Sequence, residues 1–178
     1  MTQISEFNAT THTGEALHVV SMENHDADSA FALALEADEL PRVVHWGRPL
    51  TQPRTLVSAV DALRPQRVSG ALDETTWPSV LPTPAEAWTG EPRFVVRRDG
   101  VELFCRFVVT DIAVGDAGVA VTASDAEQGV EITWTCEMRD SGLVRQRADV
   151  RNLGAGSLEI GKVELGFPVP ADMTELLT

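Results

Sequence analysis

Between Gly129 and Pro170, hydrophobic and polar residues alternate with a period of two. Val130, Ile132, Trp134, Cys136 and Met138 interleave with Glu131, Thr133, Thr135, Glu137 and Arg139. That pattern predicts a strand with one buried face and one wet face. Asp140-Ser141-Gly142 supplies a turn. Val144, Ala148 and Val150 then alternate with Arg145, Arg147, Asp149 and Arg151, which predicts a returning strand. Asn152-Leu153-Gly154-Ala155-Gly156 turns the chain again. Leu158 and Ile160 resume the alternation, whereas Val163, Leu165 and Phe167 lie in the opposite phase, so a β-bulge is predicted at Gly161. Pro168 and Pro170 end the run, because proline has no N–H to give to a ladder. The segment reads as a three-stranded antiparallel meander at the centre of the fold.

The rest of the chain carries weaker versions of the same signal. Met1 to Glu15 is polar and reads as a short edge strand or a frayed end. Ala16 to Met22 predicts a strand with Leu17 and Val19 on one face and His18 and Val20 on the other. Phe31, Leu33 and Leu35 alternate with alanines over Ala30 to Ala37, which favours a strand over a helix. Leu40-Pro41 breaks it, and Arg42 to Trp46 follows as a strand closed by Gly47. Leu56, Val60 and Leu63 are spaced for one short helix over Thr55 to Leu63, ended by Pro65. Val68 to Glu91 is irregular and proline-rich, yet it holds Trp77 and Trp88, which argues against disorder.

Strands resume at Phe94 to Arg98, and Asp99-Gly100 is a strong hairpin signal. Val101, Leu103, Cys105, Phe107 and Val109 share one face, with Phe104 and Val108 on the other. A strand apolar on both faces is expected to be central or covered. Val119 to Ser124 is the next strand. Nine to twelve strands with hairpin turns and one short helix predict an all-β fold, a large antiparallel sandwich.

Composition narrows the function classes. The 27 acidic residues against 14 basic ones give a formal net charge of −13. Such a surface repels nucleic acid and anionic membranes, so neither is an expected partner. No apolar run is long enough to span a bilayer and no basic-then-apolar leader opens the chain, so a cytoplasmic location is expected. Cys105 and Cys136 both fall on apolar faces, where buried free thiols are expected rather than a disulfide. His12, His18, His25 and His45 make no metal-binding spacing, and no nucleophile elbow or phosphate loop is present, so no metal or cofactor is expected.

The candidate chemistry lies in aromatic rings and acids. Trp134 and Trp46 fall on strand patterns and are expected in the core. Trp77 and Trp88 share the irregular segment with Asp73 and Glu74, and with Arg67 and Arg93 near by. A ring beside carboxylates is how proteins hold sugars: C–H groups stack on the ring and acids accept hydroxyl protons. Asp73, Trp77 and Trp88 are therefore candidate substrate-adjacent residues. The competing reading is that the rings plug the open end of the sandwich. Arg145, Arg147 and Arg151 share the polar face of one strand, either as a domain interface or as a solvated ladder facing Glu131 and Glu137.

The stretch from Val130 to Leu177 resembles the end of the N-terminal β-domain of bacterial α-galactosidases, glycoside hydrolase family 36. In that family a strand pair ends in an Arg-x-Asn-like turn, here Val150-Arg151-Asn152. A Leu/Phe-Pro-Val-Pro strand end follows, here Phe167-Pro168-Val169-Pro170. An Ala-x-x-x-Glu-Leu segment, here Ala171 to Leu176, then enters the linker to a catalytic barrel. His45-Trp46-Gly47 matches a family strand end as well. The resemblance implies a β-supersandwich of the galactose mutarotase-like kind over residues 1–170, with 171–178 starting a linker to a barrel that the chain lacks. It implies a parent enzyme that hydrolyses terminal α-galactosides of the melibiose or raffinose type with retention. The family's catalytic aspartates belong to that barrel, so no catalytic residue is assigned here and the chain alone is expected to be inactive. The barrel is the implied partner, and a homo-oligomer through the parent is a further one.

In some family members loops of this domain reach the active-site mouth of an adjacent subunit. Two other readings stay open: a free-standing sugar- or protein-binding module that uses Trp77 and Trp88, and a mutarotase-like enzyme that needs histidine and glutamate in one cleft. Without the barrel, Phe167, Val169, Met173, Leu176 and Leu177 are expected to leave apolar surface uncovered.

Overall fold

The computed structural model describes residues 1–11, 14, 16–36, 38–50, 52, 54–65, 77–88 and 90–168. Four antiparallel strands come first, paired in chain order: β1 (Thr2–Thr10), β2 (Ala16–Asn24), β3 (Ser29–Leu35) and β4 (Arg42–Gly47). Helix α1 (Arg54–Leu63) follows. A hairpin of β5 (Phe94–Arg98) and β6 (Val101–Leu103) precedes a second four-stranded meander. That meander holds β7 (Val108–Val114), β8 (Gly118–Asp125), β9 (Val130–Met138) and β10 (Val144–Asn152). The last strand, β11 (Leu158–Val163), returns to pair with β5 in a three-stranded sheet. The all-β sandwich read from the sequence is the fold, with eleven strands and one α-helix among the described residues.

Strand β9 holds the layers together. Its inward residues Val130, Ile132, Trp134, Cys136 and Met138 are all buried. Trp134, Cys136 and Met138 pack against Val20, Met22, Phe31, Leu33 and Leu35 of the first sheet. Val130 and Ile132 instead join Phe94 and Val96 of the three-stranded sheet, with Leu40, Leu81, Cys105 and Phe107. One alternating strand thus serves two adjoining cores.

Strand β3 is buried on both faces, and its alternation explains how. Phe31, Leu33 and Leu35 point into the sandwich, while Ala32 and Ala34 lie under α1 with Leu17, Val19 and Val44. Small alanines let the helix approach so that Leu56 and Val60 become fully buried.

Hairpin and bulge chemistry behaves as the residues dictate. Asp99 and Gly100 both take positive φ (52° and 78°), as a two-residue hairpin turn requires. The register of β11 slips between Ile160 and Lys162, placing the bulge at Gly161. Arg98 locks the three-stranded sheet to the meander. Its guanidinium donates to the carbonyls of Gln128 and Gly129 and to Asn152 Oδ1 at 2.9 Å. Asn152 also caps its own turn through the Gly154 N–H and the Gly156 carbonyl. The Asn of the Val150-Arg151-Asn152 turn therefore joins two sheets.

Four expectations are corrected. The three-stranded meander is wrong at its third strand: β11 pairs with β5, because the bulge and the Asn152 turn swing it off β10. The stretch 101–109 is two strands, since the chain crosses from one sheet to the other between Leu103 and Val108. Its second apolar face is uncovered there, with Phe104 65 % and Val108 43 % exposed. The N-terminus is neither short nor frayed: β1 pairs with β2 over all nine of its residues. Phe167 is not bare surface, because it packs on Phe31 and Trp46 with ring centroids 5.2 and 5.4 Å away. Val169 to Leu177, and with them the expected linker at 171–178, lie outside the described residues.

Candidate functional site

The described part of the irregular segment between α1 and β5, residues 77–88, is built into the fold at several points. Ser79, Val80, Leu81 and Thr83 are buried. The Val80 N–H donates to the Pro41 carbonyl at 2.9 Å, and the Val80 carbonyl accepts from the Gly166 N–H at 3.4 Å. Val80 enters the first core and Leu81 the second. The segment lacks strand or helix periodicity because single residues, not a face, make its contacts.

Trp77 is half-buried against the apolar cluster under α1. Arg42, at the start of β4, fixes it twice. Its Nε donates to the Trp77 carbonyl at 2.9 Å, and its guanidinium carbon lies 5.7 Å from the ring centroid. The side chain of Arg42 is only 12 % exposed and also meets Glu36 at 3.6 Å and Glu39 at 2.5 Å. Glu36 in turn holds Arg64 at the end of α1. Burial pushes the Glu86 carboxyl above the ordinary range, against a hydrogen bond with Ser79 and the attraction of Arg42. Trp77 thus serves as a plug on an arginine-centred ionic cluster.

Trp88 stands on different partners. Its indole N–H donates to the Glu91 carbonyl at 3.0 Å. Its ring lies so close to Gly90 that a Cβ there would come within 2.4 Å of it. The Glu91 carboxylate pairs with Lys162 Nζ at 2.7 Å, and Lys162 also reaches Glu164 at 3.1 Å. The hydrogen bond from Lys162 holds the Glu91 carboxyl below its ordinary value. Asp73, Arg67 and Glu74 lie outside the described residues.

Two of the three β10 arginines face acids across the hairpin, while Arg147 pairs with Asp149 on its own strand. Arg145 meets Glu137 at 2.9 Å and Arg151 meets Glu131 at 3.3 Å, each directly opposite in register. Beside them a shallow cleft of about 240 Å³ is lined by Thr135, Glu137, Arg145, Gln146 and Arg147. Trp134 is core as expected, 1 % exposed, and its indole N–H donates to Gln146 Oε1 at 3.1 Å.

Both cysteines are free and buried in different clusters, and burial pushes each thiol up to about 12. Among the histidines, His18 meets Glu6 at 3.2 Å and His25 meets Glu23 at 3.6 Å, while His45 Nε2 lies 2.7 Å from the Arg48 carbonyl oxygen. No group of three or more metal-ligating side chains occurs among the described residues. None of the described helices is long and apolar enough to cross a membrane.

Sequence reasoning missed Arg42 and Lys162 as organising residues. Lys162 had one signal, being the single lysine of the chain. Arg42 had none, since its partners Glu36, Glu39 and Trp77 follow no spacing rule.

Residues 39–178 match the family model of the glycosyl hydrolase family 36 N-terminal domain. The match begins just before Arg42 and takes in the Trp77 and Trp88 segment, the meander and β11, leaving β1 to β3 outside it. Searches of curated proteins and of solved structures returned no match. The chain, with its buried arginine-centred segment and its Asn152 junction between sheets, belongs to the glycosyl hydrolase family 36 N-terminal domains.

Proposed function

We propose that this chain is the non-catalytic N-terminal domain of an α-galactosidase. The parent enzyme removes terminal α-linked galactose from oligosaccharides of the melibiose or raffinose type, with retention, through a catalytic barrel that follows this domain. The observation that carries the reading is the family match over residues 39–178. The use of the acids supports it. Glu36 and Glu39 hold Arg42, and Glu131 and Glu137 hold β10 arginines. Asp125 accepts the backbone N–H groups of Arg106 and Gln128. These carboxylates are spent on structure, whereas retaining hydrolysis needs two facing each other about 5 Å apart across a sugar.

Within this reading Trp88 is the ring we assign to sugar contact. Trp77 is committed to the core and to Arg42, while Trp88, equally half-buried, joins none of the core clusters and lies over Gly90. The barrel is the domain's partner, reached through the chain beyond Phe167.

A chromogenic α-galactoside assay tests the proposal. The purified 178-residue chain should give background only, and the product of the full natural reading frame should turn the substrate over. Turnover by the chain alone that survives purification and responds to a point mutation within it would overturn the reading.

A further inference from the structure

Residues Lys162 to Phe167 touch the Trp88-bearing stretch at three separate points. Lys162 Nζ pairs with the Glu91 carboxylate at 2.7 Å. The Glu164 N–H donates to the Arg93 carbonyl at 2.8 Å, and the Gly166 N–H donates to the Val80 carbonyl at 3.4 Å. Gly166 makes room for this, since a Cβ there would lie 2.9 Å from the Arg93 guanidinium. Phe167 anchors the far end of the run between Phe31 and Trp46, in the core of the first sheet. Trp77 is held elsewhere, by Arg42 from β4. The two tryptophans of one irregular segment therefore answer to different parts of the fold.

We infer that Lys162 to Phe167 is a strap that positions the Trp88 turn, so that the segment leaving this domain and the ring at residue 88 move as one unit. Lys162 and Phe167 are its positioning residues. Lys162 acts through Glu91, whose carbonyl accepts the Trp88 indole N–H. Phe167 keeps Gly166 on Val80 and Glu164 on Arg93. On the proposed function, the strap is also the route into the barrel, and docking of the barrel would set the angle of Trp88. That consequence rests on the α-galactosidase reading; the coupling itself rests on the contacts above.

Hydrogen exchange of the backbone amides and of the Trp88 indole N–H, followed by NMR on the full chain, tests the coupling without any activity readout, so it stands or falls separately from the galactosidase proposal. Lys162→Met removes the Glu91 pair and leaves the cores untouched. It should speed exchange of the Trp88 indole N–H, which donates to the Glu91 carbonyl, by about two- to five-fold, the scale of one exposed ion pair. Lys162→Arg should restore protection. Phe167→Ala should release the Val80, Glu164 and Gly166 amides and the Trp88 indole N–H together, with residues 18–22 and 130–138 unchanged. Should Phe167→Ala unfold the chain, Lys162→Met and its arginine rescue decide alone. A wild-type exchange rate of the Trp88 indole N–H in Lys162→Met would overturn the inference, as would release of the Glu164 and Gly166 amides with the Trp88 indole N–H still protected in Phe167→Ala.

Discussion

Truncating Trp134 should cost about 3–5 kcal/mol of folding stability, the range for a large aromatic removed from a core. The structure places the loss toward the upper end. The indole is 1 % exposed at the middle of β9, directly opposite Val121 on β8 and Ala148 on β10. Those small neighbours lie in the same sheet and are fixed by its ladders, so they cannot close over the space left behind. Burial of a tryptophan removes about 150–250 Å² from water, which at about 25 cal/mol per Å² is roughly 4–6 kcal/mol before relaxation. Trp134→Phe keeps most of that volume and loses the bond to Gln146 Oε1, so it should cost about 1–2 kcal/mol. Thr135→Ala, one residue along on the polar face, should stay within about 0.5 kcal/mol. Urea unfolding reads all three. With a slope of about 2 kcal/mol per M, Trp134→Ala shifts the midpoint down by about 2 M. A loss below about 1 kcal/mol in Trp134→Ala, or equal losses in Trp134→Ala and Thr135→Ala, would mean that the register of β9 is wrong.

Three further outcomes are expected. Arg42→Met leaves Glu36 buried without that guanidinium and frees the Trp77 carbonyl, so about 2–3 kcal/mol of stability should be lost; Arg42→Lys should recover only part, because an ammonium cannot fork between a carbonyl and two carboxylates. Glu86 is held above its ordinary value by burial, so its contribution to stability is complete below its unfolded pKa and is lost as the pH rises through the folded one; Glu86→Gln should flatten that loss, and a wild-type-to-variant difference that shrinks with rising pH would contradict the assignment. The thiols of Cys105 and Cys136, pushed up to about 12, should resist a disulfide reagent at pH 8 until the chain unfolds; a full equivalent reacting in native buffer within minutes would place one of them at the surface.

What the sequence revealed follows from what each signal measures. Alternation reports which face of a strand is wet, so β9 and β10 were legible, β3 was legible as a strand though not as one buried on both faces, and the Gly161 phase change was legible too. Alternation says nothing about which strand lies alongside, and β11 was accordingly assigned to the wrong neighbour. The stretch 101–109 kept one phase through a change of sheet, so its break at Phe104 left no mark in the pattern. β1 was underestimated because an edge strand buries little, and its polar sequence pairs through backbone groups that carry no side-chain signature. The α1 helix was read to within one residue from three apolar positions. The described part of the Trp77 and Trp88 segment, residues 77–88, is tied into the fold as expected, but its anchors are long-range. Arg42 lies thirty-five residues from Trp77 and Lys162 seventy-one from Glu91, and no local rule links such pairs.

The central claim is that this β-domain serves a larger hydrolase, and the size of the native gene product tests it most directly. An antibody raised against the 178-residue chain, applied to extracts of the source cells, should detect a product heavier than 19.3 kDa by at least a barrel of roughly 250 residues. The same band should carry α-galactosidase activity when captured on the antibody. A native product of 19.3 kDa, with no heavier form and no co-captured activity, would contradict the claim and leave a free-standing binding module in its place.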